Sequence, residues 1–274
     1  MAITMTDISH LRKMSGAGMM DCKNALQEAG GDFEKAMEII RKKGQAVAAK
    51  RSDRDASEGC VLAAEKDGFA AIVALKCETD FVAKNSEFIA LTQQILDIAI
   101  EKQPLALDKL LALPLGDGRS VQEHITDRIG VTGEKMELGY YEFVKGAIAI
   151  SYIHPGNKLA TVVAFNEKVG RQPARDVAMQ VAAMNPVAVR PEEVSPKTVE
   201  QELDIARDKA RQAGKPKNLL DRIAQGALQK YYKENTLLQQ EFVKDNKLTI
   251  EQYLKQQSPS LTVESFCRIT LNVD

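Results

Sequence analysis

The residues of this 274-residue chain that invite chemistry concentrate in Cys77-Glu78-Thr79-Asp80-Phe81-Val82-Ala83-Lys84-Asn85, where a thiol, two carboxylates and a hydroxyl stand within four positions. Cys77 near Asp80, with a histidine supplied from elsewhere, imitates a thiol enzyme. Cys77 ends an apolar run, however, and a structural thiol is the favoured reading. The three histidines, 10, 124 and 154, lie far apart and have no metal-ligand spacing. His124 falls beside the apolar stripe Val121, Ile125 and Ile129 and reads as a solvated helix residue. His154 stands in a hairpin turn, where either turn polarity or contact with a partner accounts for it. No phosphate-binding Gly-x-x-x-x-Gly-Lys-Ser/Thr loop and no dinucleotide fingerprint is present, and Gly16-Ala17-Gly18 reads as a helix breaker. These residues predict no catalytic constellation, no metal site and no cofactor. The chemistry on offer is binding, and the chain is expected not to be an enzyme.

The same segment shows how binding would be arranged. Ala70-Ala71-Ile72-Val73-Ala74-Leu75 reads as a buried strand, and Ser86 is placed to cap a helix with Phe88, Leu91, Ile95, Ile98 and Ala99 at helical spacing. Between them runs an eight-residue polar loop, Glu78 to Asn85, with Phe81 and Val82 at its tip. A Phe there is either folded back onto the core or meant for a partner's pocket. Asp80 beside it either bonds nearby backbone amides or acts on the partner.

Composition bounds the alternatives. There are 37 basic and 38 acidic residues, so no global charge argues for nucleic acid. Aromatic residues make up 5% and tryptophan is absent, which argues against a stacking platform for single strands. Cys22, Cys60, Cys77 and Cys267 show no close pairing and read as free thiols in a reducing compartment. Met1 to His10 lacks a signal pattern and no run reaches the length of a membrane span, so a soluble, cytoplasmic protein is expected.

The elements that must position these residues read as α+β. Residues 1–45 give three short helices. Thr4 to Asp7 forms a capping box, with Ile8 and Leu11 inward; a second helix presents Met20, Ala25 and Leu26; Asp32 caps a third with Phe33, Ala36, Met37 and Ile40 on one stripe. Residues 46–57 read as a hydrated linker, because acidic residues interrupt its basic character. Residues 58–143 and 144–195 plus 236–274 form two related subdomains with small antiparallel sheets. Each opens on a hairpin: Gly59–Glu65 with Phe69–Leu75 around Lys66-Asp67-Gly68, and Gly146–Ile153 with Leu159–Phe165 around His154–Asn157. Each hairpin then passes through a polar loop into an amphipathic helix. The second such helix starts near Pro173, carries Val177, Val181 and Met184, and stops at Asn185-Pro186. Between the subdomains Ser120 to Glu123 caps a helix and Met136 to Val144 reads as a strand; Phe266 to Val273 closes the second sheet. Residues 196–235 carry heptad seams, Val199, Leu203, Ala206, Ala210 and Ala213, then Leu220, Ala224, Ala227 and Tyr231, interrupted at Gly214 and Pro216. They predict a protruding antiparallel helical hairpin with arms of roughly 25 Å. The hairpin is also a candidate surface for pairing two copies.

Cys77–Asn85 resembles the Cys-x-Thr-Asp-Phe-Val signature of the elongation factor Ts family. Leu11-Arg12-Lys13-Met14-Ser15-Gly16-Ala17-Gly18-Met19-Met20-Asp21-Cys22-Lys23-Asn24-Ala25-Leu26 resembles the same family's N-terminal signature. The resemblance extends through His154, Val177-Ala178-Met179, Asn185-Pro186 and Gly214-Lys215-Pro216-Lys217, nearly the whole chain. It implies an N-terminal domain of the ubiquitin-associated type and a coiled-coil protrusion. It also implies a guanine nucleotide exchange factor that binds the GDP form of elongation factor Tu, displaces Mg²⁺ and promotes GDP release, with no direct contact to nucleic acid or membrane. Thr79, Asp80, Phe81 and Val82 are the implied partner-binding residues, Phe81 entering a crevice of the GTPase domain while its neighbours displace the Mg²⁺-holding segment. His154, Met19, Met20 and Lys23 are implied as weaker contacts, although core packing accounts for the two methionines equally well. Some members continue past the final strand into a C-terminal helix that contacts the partner; this sequence stops at Asp274, which leaves the contribution of such a helix open. The competing reading is an RNA-binding helical adaptor, which requires a basic face and binding with steep salt dependence.

Overall fold

A computed structural model describes residues 3–272. The helices are α1 (Met5–Ser15), α2 (Met19–Glu28), α3 (Phe33–Lys50), α4 (Asp80–Ala83), α5 (Ser86–Lys102), α6 (Leu107–Leu111), α7 (Val121–Thr132), α8 (Arg171–Met184), α9 (Pro196–Gln212), α10 (Leu220–Asn235) and α11 (Ile250–Lys255). The strands are β1 (Glu58–Lys66), β2 (Phe69–Cys77), β3 (Met136–Lys145), β4 (Ile148–Ile153), β5 (Leu159–Phe165), β6 (Glu241–Phe242), β7 (Asp245–Thr249) and β8 (Val263–Thr270). They form sheets in the orders β1-β2-β3, β4-β5-β8 and β6-β7. The protein is α+β. Among the described residues no helix is long and apolar enough to cross a membrane. The chain divides into two compact units. One takes the residues up to Leu62, Val73–Tyr141 and those from Leu271; the other takes Ala63–Ile72 and Glu142–Thr270.

In the first unit, α1 opens on the expected capping box: Thr4 Oγ1 accepts the Asp7 N–H, and Asp7 accepts the Thr4 N–H at 2.9 Å. Gly16, at φ 69°, ends the helix in the left-handed region. Ile8, Leu11, Cys22, Ala25, Leu26 and Ala36 form the small core, with Phe33, Met37 and Ile40 packed against it. Met20, expected on the inner face of α2, is exposed. Cys22, Ala25 and Leu26 share one face at helical spacing, and Met20 lies two residues off that face. The expected linker is shorter than its sequence suggests, because α3 continues to Lys50. Packing of α3 against α7 supplies the reason. Gly44 and Gly130 meet at that crossing, where a Cβ on Gly130 would lie 2.6 Å from the Gly44 Cα. The capping box of Ser120 and Glu123 opens α7 as expected.

In the second unit, β5 is the central and fully buried strand, antiparallel to β4 with Ile148 opposite Phe165 and Ile153 opposite Ala160. β8 pairs with its other edge, starting at Val263 rather than Phe266; Val273, assigned to this strand from sequence, lies outside the described residues. Ala174, Val177, Ala178 and Val181 of α8 pack on Ile150, Val163 and Phe165. Asn185, at φ 43°, ends α8, and Met184 is exposed rather than on the core face. The turn Asp67-Gly68 belongs to this unit through Gly146, whose N–H donates to the Gly68 carbonyl at 2.9 Å; a Cβ on Gly68 would meet the Gly146 oxygen at 2.4 Å. The β6–β7 hairpin and the Thr249 capping box that opens α11 had no counterpart in the sequence reading.

The helical hairpin forms, α9 against α10, with Ala206 and Ala210 facing Leu220, Ala224 and Leu228. Ala213 and Ala227 of the expected seams are exposed, and Val199 and Leu203 are only half-buried. The buried residues of α10, Leu220, Ala224 and Leu228, are spaced 4-4 rather than in a strict heptad.

Candidate functional site: the braced turn between β2 and α5

The segment expected to be an irregular loop is a single helical turn. Thr79 caps α4, its Oγ1 accepting the Val82 N–H at 3.4 Å. Ala83 is buried beneath the turn, and Asn85, not Ser86, caps α5 by accepting the Glu87 N–H at 2.8 Å. Asn85 takes this role because its backbone is extended while Ser86 is already helical.

Two acidic side chains fix the turn from below. Thr79 donates its hydroxyl to Glu134 Oε1 at 2.7 Å and its N–H to Glu134 Oε2 at 3.1 Å. Glu78 accepts the Lys135 N–H at 2.6 Å, and both its oxygens accept from Arg51 Nη1 at 3.2 Å. The neighbours Glu134 and Lys135 thus grip the neighbours Glu78 and Thr79 reciprocally. Charge-assisted bonds of this kind exceed neutral ones in strength, and a two-point grip fixes orientation. Cys77 is fully buried and donates its thiol to the Thr79 carbonyl at 3.2 Å. That is a structural thiol, not an accessible nucleophile.

Above this brace the apolar tip points outward. Phe81 is 84% exposed, which excludes the reading in which it packs under its own loop. Val82 is half-buried. Asp80 pairs with Lys84 across one helical turn at 2.6 Å, and that hydrogen bond, with the carboxylate's charge, holds the Lys84 ammonium above the usual lysine range. Burial of a Phe side chain is worth about 1.5–3 kcal/mol, so an exposed ring on a rigid mount holds that much in reserve for a partner.

The other sequence-derived candidates lie elsewhere on the surface. Met19, Met20 and Lys23 are exposed on α2, which removes the core reading of both methionines. His154 is exposed in the β4–β5 turn, its Nδ1 3.0 Å from the Tyr152 hydroxyl, and the Arg175 guanidinium lies 5.9 Å from the Tyr152 ring. His124 lies half-buried on the outer part of α7, its Nε2 2.9 Å from Asp117 Oδ1. The sequence reading missed Glu134 and Arg51 altogether. They lie 55 and 27 residues from their partners, and no local pattern marks such pairs.

Residues 78–272 match the family model described as Elongation factor TS. The chain is 75% identical over 274 residues to an elongation factor Ts of Porphyromonas gingivalis, covering all of both chains. It is 56% identical over 275 residues to one from Azobacteroides pseudotrichonymphae, again across both full lengths. To the elongation factor Ts of Amoebophilus asiaticus it is 50% identical over 275 residues, with 98% of this chain and 99% of the other covered. With matches of this extent, the chain belongs to the elongation factor Ts family of translation elongation factors.

Proposed function

We propose that this chain is a guanine nucleotide exchange factor for elongation factor Tu: it binds the GDP-bound GTPase, dislodges Mg²⁺ and so promotes GDP release in the cytoplasm. The observation that carries this reading is the exposed Phe81 on a turn braced by Glu78 and Thr79. An exchange factor makes or breaks no covalent bond. It must bind the nucleotide-free GTPase more tightly than the GDP form, and linkage then obliges it to weaken GDP binding by the same factor. A mobile ring would lose part of that coupling to its own ordering, whereas one fixed in advance keeps it.

The residues divide the work. Phe81 is the wedge that enters an apolar crevice of the GTPase domain, with Val82 at the crevice's edge. Asp80 exchanges its Lys84 pair for groups that order the partner's Mg²⁺ region. Thr79, whose side chain is spent on Glu134 and on the Val82 amide, acts by holding the wedge in place. His154 on the second unit and Met19, Met20 and Lys23 on α2 supply further docking contacts. The test is release of a fluorescent GDP from elongation factor Tu, followed with the chain at a small fraction of the GTPase concentration. Many turnovers of release per molecule support the reading; release that stays at the spontaneous rate refutes it.

A further inference from the structure

Helix α3 is fully buried at two positions, Ala36 and Gly44. Ala36 lies in the small core shared with α1 and α2, and Gly44 lies where α3 crosses α7. Exposed or half-buried residues fill the rest of its 18 positions, a length of about 27 Å. The crossing is built from glycine on both sides. A Cβ on Gly130 would lie 2.6 Å from the Gly44 Cα, and one on Gly44 would lie 3.4 Å from both the Gly130 Cα and the Thr126 carbonyl oxygen. Glycine is unfavourable inside a helix, so two at one crossing need a reason, and contact of one backbone with the other supplies it. Two side chains extend the connection in either direction. Lys43 pairs with Asp21 of α2, and Arg51, one residue past the end of α3, donates to both oxygens of Glu78 at 3.2 Å. Thus α3 runs from the helix that presents Met19, Met20 and Lys23 to the base of the turn that presents Phe81.

We propose that α3 is a rigid strut and that the Gly44–Gly130 crossing is the joint that fixes the α2 docking face relative to Phe81, so that the two contacts on elongation factor Tu bind as one. This rests on the exchange reading above, to which it adds how two separate contacts are made to cooperate. A hydrated linker alone would leave the three-helix domain free to move. Docking of α2 would then do little to bring the wedge to its crevice. A fixed separation turns the second contact into an intramolecular event at high effective concentration. The Lys43–Asp21 pair is exposed and holds little by itself. The glycine contact is backbone on backbone, and a group inserted there meets nothing that can rotate aside. Buried Val121, Ile125 and Ile129 anchor α7. A methyl group at position 130 must therefore displace α3, whose one buried residue at the crossing is Gly44.

Backbone amide relaxation of the full chain, measured by NMR, tests the rigidity without any partner. The expected result is one rotational correlation time shared by α1, α2 and α3 with α5 and α7; a markedly shorter time for α1 and α2 overturns the proposal. The coupling is tested by Met20→Ala and Gly130→Ala, alone and together, read as the concentration of chain that gives half-maximal release of fluorescent GDP from elongation factor Tu. Met20→Ala is expected to raise that concentration roughly fivefold, Gly130→Ala roughly tenfold, and the double variant no further than Gly130→Ala alone. Release at saturation should keep its wild-type rate in Gly130→Ala, because Phe81 and its brace are untouched. Gly44→Ala, with less to displace, is carried through the same cycle and should give a smaller effect in the same direction. Gly226→Ala, in α10 with open space around its Cβ, is the control and should change nothing. Effects of Met20→Ala and Gly130→Ala that multiply overturn the proposal, as does a half-maximal concentration indifferent to Gly130→Ala. A wild-type chain that leaves GDP release at the spontaneous rate refutes the exchange reading instead.

Discussion

Two parts of this chain share one plan, a β-hairpin leading through a short polar connection into an amphipathic helix, and they treat an apolar residue in that connection in opposite ways. After β5 the connection Asn166-Glu167-Lys168-Val169-Gly170 folds its apolar residue home: Val169 packs against the core of the second unit. Asn166 ties that segment down by accepting the Thr262 N–H at 2.8 Å and donating to the Ser260 carbonyl at 2.9 Å. After β2 the connection is tied down at least as firmly, by Glu134 and Arg51, yet its apolar residue is turned out to solvent. Firm anchoring with an inward side chain is what stability requires. Firm anchoring with an outward aromatic ring serves no folding purpose, and that difference is what the proposed exchange function explains.

The comparison breaks most readily at Phe81. Phe81→Ala should leave the melting temperature of the chain unchanged and cut GDP release from elongation factor Tu by roughly thirtyfold or more, the effect of losing a hot-spot aromatic worth at least ~2 kcal/mol. Stopped-flow release beside a melting curve separates this from a core role, which would show as a lower melting temperature with normal exchange by the folded fraction.

The next largest effect belongs to the brace. Glu134→Ala removes both acceptors of Thr79 and should slow exchange by roughly tenfold while costing about 1–3 kcal/mol of stability through the donors left unpaired. Glu134→Gln, which retains one acceptor, should fall between the variant and the parent in both measurements. Exchange at the parent's rate with Glu134 gone would show that the ring needs no fixed mount.

Asp80→Ala should act more mildly, roughly threefold, in keeping with an exposed carboxylate whose pairs are worth well under a kcal/mol each. Release rates at two Mg²⁺ levels sharpen its role. A defect that is present in millimolar Mg²⁺ and shrinks when the ion is chelated fits competition at the partner's Mg²⁺ region. The same fractional defect at both levels, with lower thermal stability, makes Asp80 a local structural residue. The control from the other connection is Val169→Ala, expected to lower stability by about 1 kcal/mol and to leave exchange per folded molecule unaltered.

Local grammar made much of this fold legible in the sequence, and distance hid the rest. Thr4 with Asp7 and Ser120 with Glu123 are capping boxes three residues long, readable without any tertiary knowledge. The Asp67-Gly68 turn, the stop at Asn185-Pro186 and the alternation of buried strands are equally short-range. What could not be read is what packing decides. Gly44 passes for a helix end until Gly130 is seen against it, and it is Leu228 rather than Ala227 that is buried in the seam of α10. Phe81 belongs to the same group. The residues alone favoured a ring folded back onto the core, and only the family resemblance argued otherwise; in the structure Ala83 fills the space beneath the turn and Glu134 the side, and the ring stays outside.

The central claim is that Phe81 contributes to binding only where the partner has lost its nucleotide. Measuring the affinity of the wild-type chain and of Phe81→Ala for elongation factor Tu in both its nucleotide-free and its GDP-bound forms tests this most directly. The account predicts that the substitution weakens binding to the nucleotide-free form by the same factor as it slows exchange, and leaves binding to the GDP form nearly unchanged. Equal losses on both forms would contradict it, since Phe81 would then be an ordinary docking contact that couples nothing to nucleotide release.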